Sequence, residues 1–220
     1  MGSHPPVQGD WCPSEPLLYS PPYNQNRHAM RTTVFSTPIL TPLLRFIAIL
    51  ILKLIGWKAV GSSVAVPKYV LIGAPHTSNW DFPLMLLVVL KLRLRVYWMG
   101  KHTLFPFPFG GFMKWLGGIP IDRAKSHNVV HQTVNQFSQL ESFVVLIPPE
   151  GTRSKVSKWK TGFYHIANNA GVPILMGYVD AQNKQAGFAD FFYPTGELET
   201  DMEEIRTFYA GKKGLRAENS

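Results

Sequence analysis

Short apolar runs alternate with longer runs of helical period along this chain. Residues 68–74, 95–99 and 143–147 read as buried strands, 118–123 as a short strand ending in a charged pair, and 172–177 as a further strand. Residues 187–193 fit an edge strand or hairpin arm. Helical stretches lie between them at 82–92, 162–169 and 199–210. Another covers 126–140, where Val130, Val134, Phe137 and Leu140 recur every three or four positions. Strands alternating with helices predict an α/β layered fold, with a central, largely parallel sheet flanked by helices. No internal repeat is visible.

Two stretches ahead of the first strand follow other rules. Residues 1–30 are rich in proline and hold no sustained period, so they read as a leader outside the functional fold, disordered or added in cloning. Residues 31–58 contain an apolar helix that Pro38 and Pro42 confine to positions 42–56. Arg45 and Lys53 bracket its apolar block, so no charge-free run reaches the roughly 20 residues that span a bilayer. Those charges disfavour a signal peptide, and a plain core helix is the simpler alternative. The preferred reading is an interfacial helix, its apolar body in lipid and Arg45, Lys53 and Lys58 at headgroups. The main domain is then 59–211, and 212–220 is a polar tail.

Charge narrows the partners. The chain is 45% hydrophobic and 16% charged, its net charge is +8, and eight of its 14 acids lie from Asp180 onward. The first two thirds are therefore basic, apolar and aromatic, which suits an anionic partner such as a membrane surface, a phosphorylated substrate or nucleic acid. No zinc-knuckle spacing, RNP-type motif or basic zipper is present, which argues against nucleic acid. Residues 100–116 mix Lys101 and Lys114 with aromatics, glycine and proline, and fit either a packed connection or a basic-aromatic membrane patch. The single cysteine, Cys12, excludes a disulfide framework and a cysteine-rich metal site. His127 and His131 lie one helical turn apart but lack a third ligand, and no metal is expected.

Candidate chemistry collects where strands end. Pro75-His76-Thr77-Ser78-Asn79-Trp80-Asp81 joins a strand to a helix, a place where α/β proteins carry their sites. Asp81 is the only acid between Glu15 and Asp122, an interval that holds 11 Lys and Arg. It fits the first turn of a helix, where negative charge is favoured and Ser78 or Asn79 can cap. It fits equally a partner for His76, and spacing alone does not choose. Asp122-Arg123 ends a second strand. Pro149-Glu150-Gly151-Thr152-Arg153-Ser154 follows a third and leads into a loop carrying Lys155, Lys158 and Lys160. Together these loops supply a candidate base, an acid to orient it and two guanidiniums suited to phosphate. Gly151 lets backbone amides approach an anion closely. No Gly-x-Ser-x-Gly elbow, Walker loop or Gly-x-Gly-x-x-Gly follows a strand, which argues against serine hydrolases, P-loop phosphotransferases and dinucleotide enzymes.

In order and spacing these blocks resemble the glycerolphosphate acyltransferase superfamily, which includes bacterial 1-acylglycerol-3-phosphate acyltransferases. The family motif Asn-His-x-x-x-x-Asp corresponds to Pro75-His76-x-x-x-x-Asp81, with proline for asparagine. Its Gly-Ile-Pro strand ending in arginine corresponds to Gly118-Ile119-Pro120-Ile121-Asp122-Arg123. Its Phe-Pro-Glu-Gly-Thr-Arg-Ser corresponds to Pro148 through Ser154, with proline for phenylalanine, and its apolar-flanked proline to Val172-Pro173-Ile174. Gly100-Lys101 with Leu104-Phe105 looks like the segment before the second motif, so the likeness spans residues 68–178.

The resemblance implies acyl transfer from acyl-CoA or acyl-carrier protein to a lysophospholipid hydroxyl, with 1-acylglycerol-3-phosphate first among acceptors and no cofactor. It implies His76 as general base, oriented by Asp81. Arg123 and Arg153 are implied to bind acceptor phosphate in a pocket shaped by Glu150, Gly151 and Thr152. Lys101 is a further candidate for donor phosphates or headgroups. Peripheral (monotopic) association with the cytoplasmic face of a membrane goes with this reading. The alternatives are a different, non-glycerolipid acceptor, water as acceptor, or a non-catalytic phospholipid-binding protein of the same fold.

Overall fold

A computed structural model describes residues 31–61, 64–122 and 126–219, with the backbone alone at 126–128 and 217. The leader expected at 1–30 lies outside the described residues, as does Arg123. The elements run α1 (Leu40–Leu54), β1 (Lys58–Val60), β2 (Lys68–Ala74), α2 (Asp81–Leu92) and β3 (Tyr97–Lys101). A 3-10 turn at His102–Leu104 precedes α3 (Gly110–Trp115) and β4 (Gly118–Ile121). Then follow α4 (Ser126–Gln139), β5 (Phe143–Ile147), α5 (Gly162–Ala170), β6 (Ile174–Asp180), β7 (Gln185–Phe192) and α6 (Leu198–Tyr209).

The strands form one sheet in the order β1-β7-β6-β2-β5-β3-β4. Every pairing is parallel except β6 with β7, a hairpin closed over residues 181–184. Side chains on a strand alternate between faces, and here that alternation divides the core. Val70, Ile72 and Ala74 of β2 face one cluster with Phe163 and Ile166 of α5 and Met202 and Ile205 of α6. Tyr69 and Leu71 face the other, with Val89 and Leu90 of α2 and Ala48 of α1. The result is three layers, helix on sheet on helix. Because β2, β3, β4, β5 and β6 run the same way, the loops that leave their carboxyl ends share one rim of the sheet.

Several boundaries depart from the pattern in the sequence. Arg93 takes a left-handed backbone (φ 61°) at the end of α2, so β3 begins at Tyr97 rather than 95. β4 stops at Ile121, before the charged pair. β6 begins at Ile174, since Pro173 has no N–H for a ladder, and runs on to Asp180. β7 is a hairpin arm but not an edge, because the unanticipated three-residue β1 covers its outer side.

α1 is two-faced. Ala48 and Leu52, four positions apart, are buried, and Leu52 clusters with Leu84 and Val88 of α2. Ile39, Phe46 and Leu54 remain 87%, 66% and 76% exposed. Trp115 at the end of α3 donates its indole N–H to Thr37 Oγ1 at 3.0 Å, which ties the start of α1 to the aromatic segment before β4. That segment exposes Phe107, Phe109 and Phe112. No helix among the described residues is long and apolar enough to cross a membrane.

Candidate active site

The site is built where β2 gives way to α2. The chain leaves Ala74 through a cis bond to Pro75, and Asp81 is the first residue of α2. The five-residue spacing closes on itself, so that His76 Nδ1 lies 2.9 Å from Asp81 Oδ2. The same oxygen accepts the backbone N–H groups of Thr77 at 2.7 Å and Ser78 at 2.8 Å. Both readings of Asp81 from the sequence therefore hold in geometry, since it occupies the first turn of the helix and it also meets the imidazole. Neither Ser78 nor Asn79 caps α2; the Ser78 hydroxyl accepts from Trp80 N–H instead. Asp81 is buried, whereas the His76 side chain keeps 27% of its surface exposed. With a carboxylate at Nδ1, that nitrogen carries the proton and Nε2 is left as the basic nitrogen.

The second contribution comes across the sheet. β5 lies beside β2, with Ile72 opposite Ile147, so the loop after β5 runs alongside His76. Glu150 Oε1 accepts the His76 backbone N–H at 3.0 Å, fixing the histidine's main chain as Asp81 fixes its ring. Burial pushes the Glu150 carboxyl above the usual range, and the His76 amide works against that. Tyr209 of α6 donates to the Gly177 carbonyl at 2.8 Å, and its hydroxyl is held well above the usual tyrosine range by burial and by Glu150. Gly151 follows with φ +68°, a backbone that favours glycine, and turns the chain toward Arg153.

His76 stands at an apolar cleft of about 610 Å³, within the range of small-molecule sites. Leu71, Phe82, Met85, Val89 and Leu146 line its interior, while Gly73, Gly177 and Gly187 of three neighbouring strands put no side chain into it. Lys101, Gly151, Thr152 and Arg153 line the same cleft. The structure thus brings together His76, Asp81, Lys101, Glu150, Gly151, Thr152 and Arg153. Arg123 is outside the described residues, and the cationic loop's Lys155, Lys158 and Lys160 are not among the residues lining the cleft. Among the described residues, no cluster of three or more His, Cys, Asp or Glu side chains could hold a metal ion.

The Acyltransferase family model matches residues 61–176, just over half of the chain. The chain belongs to the acyltransferase family. A Haemophilus influenzae protein named 1-acyl-sn-glycerol-3-phosphate acyltransferase is 33% identical over 107 residues, 46% of this chain and 43% of that protein. Namesakes from Salmonella typhimurium and Escherichia coli are 37% and 36% identical over 109 residues, with the same coverage of 46% and 43%. The match spans less than half the length of each relative. The crystal structure of the 1-acyl-sn-glycerophosphate acyltransferase PlsC from Thermotoga maritima has a TM-score of 0.52, covering 77% of this chain and 78% of that one at 16% identity. That likeness is one of fold. His76, Asp81, Lys101, Gly151, Thr152 and Arg153, which line the cleft, fall inside the matched region.

One group of neighbours escaped the sequence reading. Thr77 holds residues 214–219, a stretch whose composition reads only as a polar tail. The Thr77 hydroxyl accepts the Arg216 backbone N–H at 3.1 Å, and the Thr77 carbonyl accepts from Asn219 Nδ2 at 3.3 Å. No local pattern in 214–219 announces this contact, which joins positions 139 and 142 residues apart.

Proposed function

We propose that this protein moves a fatty acyl group from an acyl thioester to the hydroxyl of a lysophospholipid-type acceptor, 1-acylglycerol-3-phosphate first among them. The observation that carries the reading is the His76–Asp81 pair standing at the mouth of an apolar cleft. The acceptor hydroxyl gives its proton to His76 Nε2 as its oxygen attacks the thioester carbonyl. Asp81 holds the ring in the right tautomer and stabilises the imidazolium that forms. As the tetrahedral intermediate collapses, the C–S bond breaks and the imidazolium returns the proton to the departing thiolate. This is triad logic in which the substrate supplies the hydroxyl. The cleft accepts the acyl chain and excludes water from the thioester. Arg153 binds the acceptor phosphate, with Gly151 and Thr152 beside it, and Glu150 keeps the His76 backbone in place. The names of the relatives support the acceptor; both acyl-CoA and acyl-carrier protein fit as donors.

A thioester-release assay tests this directly. Free thiol is expected to form only when both acyl thioester and 1-acylglycerol-3-phosphate are present. Release without acceptor would make the protein a thioesterase, and no release with any acceptor would leave a lipid-binding module. In the same assay, Arg153→Ala is expected to raise KM for the phosphorylated acceptor on the order of tenfold with kcat little changed, since a hydrogen bond to a charged group is lost. A fall in kcat at constant KM would remove Arg153 from the phosphate.

The same reading places the protein peripherally on the cytoplasmic face of a membrane. Its support is the exposed side of α1 and the exposed Phe107, Phe109 and Phe112 of the segment that Trp115 ties to Thr37. Phe46→Asp with Leu54→Asp leaves the Ala48 and Leu52 contacts intact. The double variant is expected to lose flotation with anionic liposomes, and wild-type binding to weaken with salt. Unchanged flotation of the double variant would remove α1 from the membrane.

A further inference from the structure

Residues 210–219 follow α6 as a strap laid against three parts of the catalytic rim. Just past β6, the Ala181 N–H donates to the Lys213 carbonyl at 2.7 Å, and Lys212 Nζ lies 4.7 Å over the Tyr178 ring and 4.5 Å over that of Phe208. Leu215 packs against the cluster of Leu52, Leu84 and Val88, of which Leu84 and Val88 also line the apolar cleft. The third contact is with Thr77 in the turn that carries His76. The strap lies beyond the family-matched region.

Thr77 is 2% exposed and is bonded on two sides. Toward the site, its N–H and that of Ser78 both donate to Asp81 Oδ2, at 2.7 and 2.8 Å. Toward the strap, its hydroxyl accepts the Arg216 backbone N–H at 3.1 Å and its carbonyl accepts from Asn219 Nδ2 at 3.3 Å. The Thr77–Ser78 peptide is thus held at its N–H by the carboxylate and at its C=O by the strap. Gly214 packs so closely on Thr77 that a Cβ there would collide with the hydroxyl and the methyl. A planar peptide held at both ends cannot turn without moving Asp81 Oδ2, the oxygen that meets His76 Nδ1 at 2.9 Å. Thr77 is not among the residues lining the apolar cleft, so it reaches the chemistry only through Asp81 and His76.

We infer that Thr77 is a positioning residue and that the strap, through it, holds Asp81 in line with the His76 imidazole. The inference rests on the acyl-transfer reading for its effect on rate, while the aim of the ring can be read without turnover. Thr77→Val in the full chain keeps the bulk and both backbone groups but removes the acceptor for the Arg216 N–H. It is expected to lower kcat about tenfold with KM for donor and acceptor unchanged, and Thr77→Ser, which keeps the hydroxyl, to recover most of the loss. Gly214→Ala drives the strap off Thr77 and is expected to act as Thr77→Val does. The His76 Nδ1 proton, identified as the imidazole resonance that His76→Ala lacks, reports the Asp81 contact by NMR. It is expected to move upfield in Thr77→Val and Gly214→Ala and to return in Thr77→Ser. Wild-type kcat in both variants overturns the inference, whatever their melting temperature. So does a fall in kcat with the resonance unmoved, or a rise in KM in its place. Should either variant fail to fold, Asn219→Ala removes a single bond near the end of the chain, and wild-type kcat and resonance there overturn the inference. If the resonance follows the strap variants but the wild type transfers no acyl group, the catalytic reading fails and the coupling of strap to turn stands.

Discussion

Replacing His76 with alanine is expected to lower kcat by roughly 10²–10⁴, the contribution of a positioned general base, while the protein stays folded. The fold should survive because the side chain keeps 27% of its surface exposed and the backbone anchor is the His76 N–H to Glu150, which alanine retains. Thiol release under saturating acceptor and donor gives the rate, and a thermal melt of the same sample shows that the fold is intact. Turnover near that of the wild type would remove His76 from the chemistry. A collapsed melting transition would show instead that the imidazole holds the loop.

Asp81→Asn tests the charge of the carboxylate apart from its place in the turn. Oδ2 alone meets His76 Nδ1 and accepts the Thr77 and Ser78 N–H groups, so an amide oxygen in its place keeps all three contacts and the histidine tautomer. What the variant lacks is the negative charge that stabilises the imidazolium. The expected loss in kcat is on the order of 10–100-fold, since a hydrogen bond to a charged group contributes about 1.5–3 kcal/mol, with the melting temperature nearly unchanged. Asp81→Ala removes the acceptor for both buried amides as well and should cost about 1–3 kcal/mol of stability for each amide left unsatisfied. A fully active Asp81→Asn protein would reduce Asp81 to a helix-terminus charge. The two variants together distinguish stabilising the imidazolium from building the turn.

Much of this site is legible without coordinates. The positions of His76 and Asp81 follow from a short apolar run read as a buried strand, a turn and an apolar helix. Glu150, Gly151 and Arg153 could be placed at the end of β5 for the same reason. That the turn closes on itself, with His76 Nδ1 2.9 Å from Asp81 Oδ2, is what the structure adds. Strand ends were less secure, because Pro173 and the left-handed Arg93 shift them through backbone constraints that hydrophobic period does not register. The interfacial reading of α1 took its apolar residues as one face, whereas the structure uses Ala48 and Leu52 to dock the helix on α2 and leaves the rest outside.

What the sequence by itself determined is therefore local: the α/β alternation, the strand-end loops and the five-residue spacing that lets His76 and Asp81 meet. The tertiary structure decided which loops meet. Strand order puts β5 beside β2, and only then does Glu150 reach a backbone N–H 74 positions away. The covering of β7 by β1, the glycine-lined cleft and the strap that brings Arg216 to Thr77 arise the same way. The physical reason is range. Periodicity and turn chemistry act over a few residues, whereas a contact between positions 77 and 216 is set by how whole layers pack, and no short pattern in either segment records it.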